Sequence, residues 1–175
     1  CLCLGLGLYH PVTAQLTLTK APQHGAFFAQ NKTTNSAGVQ VEGFVDNAIY
    51  TNLEITVLKN GALANSYNHK LVFSAGKASF KQTLTLKTGK HFYTVKYELT
   101  GGANYSEQVN DICVGDVYLV QGQSNAVASF NSPINVKYNG PYLRSFGTSS
   151  TSPNLCVSDT SWYGIEAGLV YSRGS

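Results

Sequence analysis

The chain has 175 residues, of which 43% are apolar and only 12% are charged, with a formal net charge of +3. This length allows one or two domains with a real core, and the weak, scattered charge excludes the basic surface that nucleic-acid binding needs. Frequent Gly and Tyr, abundant Ser, Thr and Asn, and the absence of Met are typical of an extracellular, β-rich protein.

The amino end has the features of an export signal. A short apolar run at residues 2–8 is followed by Val12-Thr13-Ala14, which are small or short side chains. This arrangement predicts a signal-peptide remnant over residues 1–14, cleaved after Ala14, with the basic start of the signal missing. The run is too short to span a bilayer, so no membrane association is expected after cleavage. A buried first strand is the alternative. Export predicts a secreted location, extracellular or periplasmic.

Residues 15–111 are predicted to form an antiparallel β-sandwich, because apolar and polar residues alternate there with a period of two. Asn60-Gly61 is a strong hairpin signal between two of the strands. Val95, Tyr97 and Leu99 share one parity, with Val95 and Leu99 expected in the core. No helix longer than about two turns is expected between residues 40 and 100. The clearest strands are predicted at residues 39–45, 53–58, 71–73, 78–86 and 91–99.

The pattern changes at Ile112, where a second segment, residues 112–175, is predicted to begin. Residues 117–120 form a continuous apolar run, which predicts a parallel strand buried on both faces. Residues 141–146 predict a second strand. The Ser- and Thr-rich sequence that follows predicts a loop, anchored by Trp162-Tyr163.

Cysteine usage leaves two interpretations open. The two cysteines within residues 1–14 would be lost with the signal, whereas Cys113 and Cys156 either pair or are separate buried thiols. No CxxC motif or Cys/His cluster is present, so no metal site is expected. The triplets NKT at 31–33 and NYS at 104–106 are glycosylation sequons, which matter only in a eukaryotic secretory route.

A polar segment, Gln121-Gly122-Gln123-Ser124-Asn125, directly follows the apolar run. One interpretation is a turn, because Gly, Ser and Asn all favour turns. The other is a catalytic serine, which needs a base to take its proton and donors aimed at the oxyanion. Gly122 would let the backbone turn and leave room for substrate, and the Ser124 amide would face the reacting carbonyl. Ala126 occupies the last position of a Gly-x-Ser-x-Gly elbow, so the usual α/β-hydrolase elbow is not supported.

Residues 115–125, GDVYLVQGQSN, resemble the first block of the sialate O-acetylesterase-like branch of the SGNH hydrolases, G-D-[VI]-[WFY]-[LV]-x-x-G-Q-S-N. Every fixed position is met, and only the Met that usually follows is replaced, by Ala126. The family often carries a β-sandwich directly before this block. The resemblance therefore implies that residues 112–175 are the first part of a flavodoxin-like α/β hydrolase domain, with 142–146 as its second strand.

The resemblance also implies a function and a site. Ser124 would be the nucleophile, with Gly122, Gln123 and Asn125 on the oxyanion and substrate side. The activity would be that of a secreted carbohydrate O-acetylesterase, acting on acetylated sialic acid or on a plant polysaccharide such as acetylated xylan. Neither a metal nor an organic cofactor is implied.

The family has an acid–base pair, Asp-x-x-His, that this chain lacks. No His follows Ser124, and the only later carboxylates are Asp159 and Glu166. Residues 112–175 have room for about two strands, whereas a doubly wound domain needs several strand–helix–strand units. We therefore expect a chain that is incomplete at both ends and inactive as it stands, because nothing can activate Ser124.

The alternative function belongs to another class, a non-catalytic carbohydrate-binding or adhesion module. Its support is the predicted sandwich with its many Tyr residues. Core packing and cross-strand pairing explain such residues more simply than sugar binding.

Overall fold

The computed structural model describes residues 16–118, Tyr142, and the short segments 144–146 and 162–164. The predicted signal segment, residues 1–14, lies outside these residues. The described protein is mostly β, with no helix in the described residues. Its strands are β1 (Leu16–Lys20), β2 (Phe27–Ala29), β3 (Ser36–Val45), β4 (Asn52–Lys59), β5 (Ala62–Lys70), β6 (Ala78–Lys87), β7 (Tyr93–Thr100), β8 (Tyr105–Gly115), β9 (Arg144–Phe146) and β10 (Trp162–Gly164).

Two sheets built from the first eight strands form the body of the fold. A three-stranded sheet has the order β1-β3-β6, and a five-stranded sheet has the order β2-β8-β7-β4-β5. Every pairing in them is antiparallel except one, because β2 runs parallel to β8. The expectation of a purely antiparallel sandwich is therefore wrong at this edge. A parallel pair cannot be joined by a hairpin and needs a long connection, which β3 to β7 provide between β2 and β8.

One face of each sheet contributes to a single hydrophobic core. In β7 the side chains alternate between buried and half-buried, and Val95, Tyr97 and Leu99 are all buried. Val41 and Leu84 are buried from the opposite sheet and belong to the same cluster. The predicted parity of β7 and the absence of a helix between residues 40 and 100 are thus confirmed.

Three tyrosines of the sandwich are core residues. Tyr50, Tyr93 and Tyr97 are each at most 3% exposed. Burial raises the pKa of the Tyr97 hydroxyl far above its ordinary value, because the phenolate would lose its hydration. These three rings pack in the interior and are not available to stack on a sugar.

The hairpin between β4 and β5 has the predicted turn. Asn60 and Gly61 have φ angles of 48° and 82°, both in the left-handed region. A turn with two such residues matches the twist of the strands that it joins, which is why Asn-Gly is favoured there.

Replacing Gly61 with alanine should lower the free energy of unfolding by about 1–2 kcal/mol, the cost of a left-handed backbone in an L-residue. An added Cβ at Gly61 meets nothing within 4 Å, so the effect is one of the backbone alone. Gly38→Ala is the matched control, because its Cβ would make only an ordinary contact, 3.4 Å from Thr83 Cγ2. Urea unfolding of both variants measures the difference, and equal losses would contradict the turn assignment.

The strand predicted at residues 71–73 is wrong. These residues lie outside any strand, and the preceding segment, Ala62–Lys70, forms β5 instead. β5 is an edge strand of the five-stranded sheet and is exposed along most of its length. An edge strand with little buried surface has no apolar alternation, so periodicity could not find it. Leu71 follows it, and its amide donates a hydrogen bond to the Thr51 carbonyl at 2.8 Å.

The strand predicted at residues 141–146, the second in the segment 112–175, is present in part as β9. It pairs with β10 in antiparallel fashion, with Trp162 opposite Phe146. Trp162 and Tyr163, predicted to anchor a loop, are therefore part of a strand. The parallel strand order of an α/β hydrolase is not seen in the residues described.

Candidate active site at the exit from the sandwich

The predicted site residues Gly122, Gln123, Ser124 and Asn125 lie outside the described residues, as does any contact between Ser124 and a histidine. The structure does describe the stretch that leads to them, residues 115–118, and the side chains that hold it. This stretch begins at the end of β8, which continues four residues beyond Asp111 into the segment that the sequence assigned to the second domain.

A β-bulge redirects β8 shortly before it ends. Tyr93 of β7 is paired with Ile112, whereas Val95 is paired with Val109, so β8 holds one residue more than its partner here. Asp111 lies at this irregularity with a φ of 60°, a conformation that Asp adopts more readily than most residues. An irregularity of this kind bends a strand and can re-aim the residues after it.

At the bulge, β8 is held by the segment that leads into β2. The Asn110 amide donates to Nδ1 of His24 at 3.1 Å, and the Asn110 carbonyl accepts from the Gly25 amide at 3.1 Å. From Cys113 onward β2 pairs with β8 in parallel. As a result Ile112, Cys113 and Val114 are three consecutive buried residues.

The run of consecutive buried apolar residues thus lies earlier in the sequence than predicted. Val117 and Tyr118 belong to no strand and are 53% and 81% exposed, so the buried parallel strand expected at 117–120 is wrong for its first two residues. Leu119 and Val120 lie outside the described residues. Val117 and Tyr118 are exposed because β2 ends opposite Gly115 and no described strand continues beside residues 116–118.

Gly115 is the first residue of the GQSN block (residues 115–125), and its surroundings leave little room for a side chain. A Cβ added there would lie 2.9 Å from Cζ of Phe27, closer than real contacts allow. The Gly115 carbonyl accepts a hydrogen bond from the Gln30 amide at 2.8 Å. That bond is the final backbone link of β8 to the edge of the sheet among the residues described.

Asp116, the second residue of the block, is held by side chains of the loop after β2. Its Oδ1 accepts a hydrogen bond from Nε2 of Gln30 at 2.7 Å and another from the ammonium group of Lys32. Gln30 therefore contacts the chain twice, through its backbone to Gly115 and through its side chain to Asp116.

These contacts stabilise the ionised form of Asp116. The hydrogen bond from Lys32 lowers the pKa of the carboxyl group most, followed by the bond from Gln30, with a smaller contribution from Tyr118. The same pair raises the pKa of the Lys32 ammonium group. A carboxylate stabilised in its ionised form is a weak base, so Asp116 is suited to hold the chain and not to activate a nucleophile.

The histidines of the sandwich have structural contacts. His91 is buried, and its Nε2 lies 3.0 Å from both the Lys87 carbonyl oxygen and the Tyr93 hydroxyl oxygen. His24 accepts the Asn110 amide as described above, and His69 is half-buried in β5. The ring of His91 is thus enclosed beside the loop that enters β7.

A later part of the chain contacts the same end of the five-stranded sheet. The ring of Tyr142 stacks on that of Phe92, with centroids 4.8 Å apart and an interplanar angle of 26°. Phe92 immediately precedes Tyr93, which is opposite Ile112 near the end of β8. Residues on both sides of the GQSN block thus meet this end of the sandwich.

Gln30 and Lys32 were missed by the sequence analysis, which noted residues 31–33 only as a sequon. Lys32 is 84 residues from Asp116, and no local pattern links them. Only the parallel pairing of β2 with β8 brings the two segments together.

Comparison with known proteins finds no family model that matches the chain and no curated protein of significant similarity. Among the described residues, no three His, Cys, Asp or Glu side chains are grouped so that they could hold a metal ion. The described part of the chain also has no helix that is long and apolar enough to cross a membrane.

Proposed function

We propose that this chain belongs to a secreted carbohydrate O-acetylesterase of the SGNH type, with Ser124 as its nucleophile. The single observation that supports this proposal is the block GDVYLVQGQSN at residues 115–125, in which every fixed position of the sialate O-acetylesterase-like pattern is met. Its place in the chain, directly after a β-sandwich, agrees with the arrangement that this family often has.

The proposed reaction is acyl transfer. The Ser124 hydroxyl attacks the acetyl carbonyl as a base removes its proton, and the tetrahedral intermediate then expels the sugar alcohol. Water hydrolyses the acetyl-enzyme in a second step and regenerates the serine. The Ser124 amide, with Gly122, Gln123 and Asn125 around it, would face the oxyanion and the substrate. The acid–base pair is Asp-x-x-His in the family, and no counterpart is present in residues 1–175.

The proposed substrate class is an acetylated carbohydrate, either sialic acid or a plant polysaccharide such as xylan. Acetate release from each by the complete gene product tests this directly. Release from one and not the other assigns the substrate. Retention of the protein on the polysaccharide without any release of acetate would instead favour the non-catalytic binding module.

The proposed location is outside the cytoplasm, because the apolar run at residues 2–8 ends in Val12-Thr13-Ala14. Cleavage after Ala14 should give a mature protein that begins at Gln15. Amino-terminal sequencing of the secreted form measures this, and retention of residues 2–8 in the mature product would contradict it.

A further inference from the structure

Three features of the exit from the sandwich converge on one carboxylate. Asp116 is the first residue after the final pair of β2 with β8, so its backbone is no longer held by the sheet. Its side chain instead accepts hydrogen bonds from Gln30 and from Lys32, which lie together on the loop after β2. Gln30 also holds the preceding residue, Gly115, by its backbone amide.

We propose that Gln30, Lys32 and Asp116 form a positioning clamp that fixes Asp116 where the chain leaves the sandwich, and that the reactivity of Ser124 depends on this clamp. The consequence for Ser124 rests on the proposed esterase function, whereas the clamp itself rests on the contacts just described. None of the three residues is assigned a chemical step. They act through the backbone that leads from Asp116 towards Ser124.

The clamp is suited to direct the chain and not to hold the fold together. The side chains of Lys32 and Asp116 are 74% and 34% exposed, and exposed ion pairs contribute little to overall stability. Neither Lys32 nor Asp116 belongs to the buried core of the sandwich. Breaking the clamp should therefore change the segment after Gly115 while the sandwich keeps its stability.

The stacked rings of Phe92 and Tyr142 support the same conclusion. This contact places Tyr142, which follows the GQSN block in the sequence, at the end of the sheet where β8 ends. Asp116 and Tyr142 thus both lie at the end of the sandwich where β8 ends.

The test uses Lys32→Met in the complete gene product, because methionine keeps most of the length of the side chain and removes its charge. The control is Lys81→Met. Lys81 pairs with Glu42 at 2.9 Å in the three-stranded sheet, with side chains 65% and 31% exposed, closely matching the Lys32 pair. Lys32→Arg retains a cation for Asp116 and should restore wild-type behaviour.

Two readouts separate positioning from structure. Hydrogen exchange of the Gln30 amide, which donates to the Gly115 carbonyl, should become about three- to fivefold faster in Lys32→Met, the scale of losing one exposed charged contact. Labelling of Ser124 by a fluorophosphonate should slow by about the same factor, with KM for an acetyl ester unchanged and kcat reduced. Lys81→Met should alter neither, and thermal unfolding of the sandwich should stay the same in both variants.

The outcomes distinguish this inference from the proposed function. If wild type is labelled and Lys32→Met matches it in exchange and labelling, the clamp is refuted and the esterase stands. If wild type is not labelled at all, the esterase proposal fails, and the exchange comparison alone decides the clamp. Slower labelling in Lys81→Met to the same degree would also refute it, since a general loss of charge would then explain the effect.

Discussion

Replacing Ser124 with alanine in the complete gene product should lower kcat/KM for acetyl-ester hydrolysis by at least about 10³-fold, the scale on which catalytic serines act. Without the hydroxyl no acetyl-enzyme can form, and only oxyanion donors and substrate binding remain to accelerate attack by water. KM should change little, because the hydroxyl contributes to bond formation more than to ground-state binding.

The matched control is Ser129→Ala, a nearby serine that lies beyond the GQSN block. It should retain wild-type activity, because no fixed position of the block is altered. Full activity in Ser124→Ala would mean that Gln121-Gly122-Gln123-Ser124-Asn125 is only a turn, and the esterase proposal would then be withdrawn.

The second large effect is on stability. Leu53→Ala should lower the free energy of unfolding by about 2–5 kcal/mol, the usual range for removing a buried leucine side chain. Leu53 is 0% exposed in β4, the strand between β5 and β7, and it belongs to the core that both sheets share. The lost side chain removes apolar contacts and leaves a cavity that the strands on either side cannot easily close.

Leu63→Ala makes the same chemical change in the neighbouring strand, β5, where Leu63 is 68% exposed. Its effect should stay within about 0.5 kcal/mol, as is usual for surface substitutions. Urea unfolding of the two variants compares them directly. Similar losses in both would contradict the assignment of β4 to the core and β5 to the exposed edge.

Much of the sandwich could be predicted from the sequence because burial follows parity there. β4, β6 and β7 alternate between core and solvent, and Asn60-Gly61 fixes one hairpin. β5 could not be found in this way, since an edge strand that buries little surface has no reason to alternate. The parallel pairing of β2 with β8 has no local signal either, because the two strands contact each other only in the folded chain.

The sequence around the candidate site shows a related difficulty. The motif located residues 115–125, but the apolar character of residues 117–120 suggested a buried strand that the structure does not have at Val117 and Tyr118. A run of apolar residues reports hydrophobicity and not the presence of neighbouring strands. Here the neighbouring strand β2 ends opposite Gly115, so the buried run is Ile112 to Val114. The contacts of Asp116 depend on the same pairing and were invisible to the motif.

The most direct test of the central claim is to treat the complete, secreted gene product with a fluorophosphonate and to locate the adduct by mass spectrometry of its peptides. A serine activated by a base attacks phosphorus and displaces fluoride, whereas an ordinary surface serine does not react appreciably. The account predicts a single adduct on Ser124, formed in parallel with loss of acetyl-ester hydrolysis. An active enzyme whose adduct lies on another residue, with Ser124 unmodified, would contradict it.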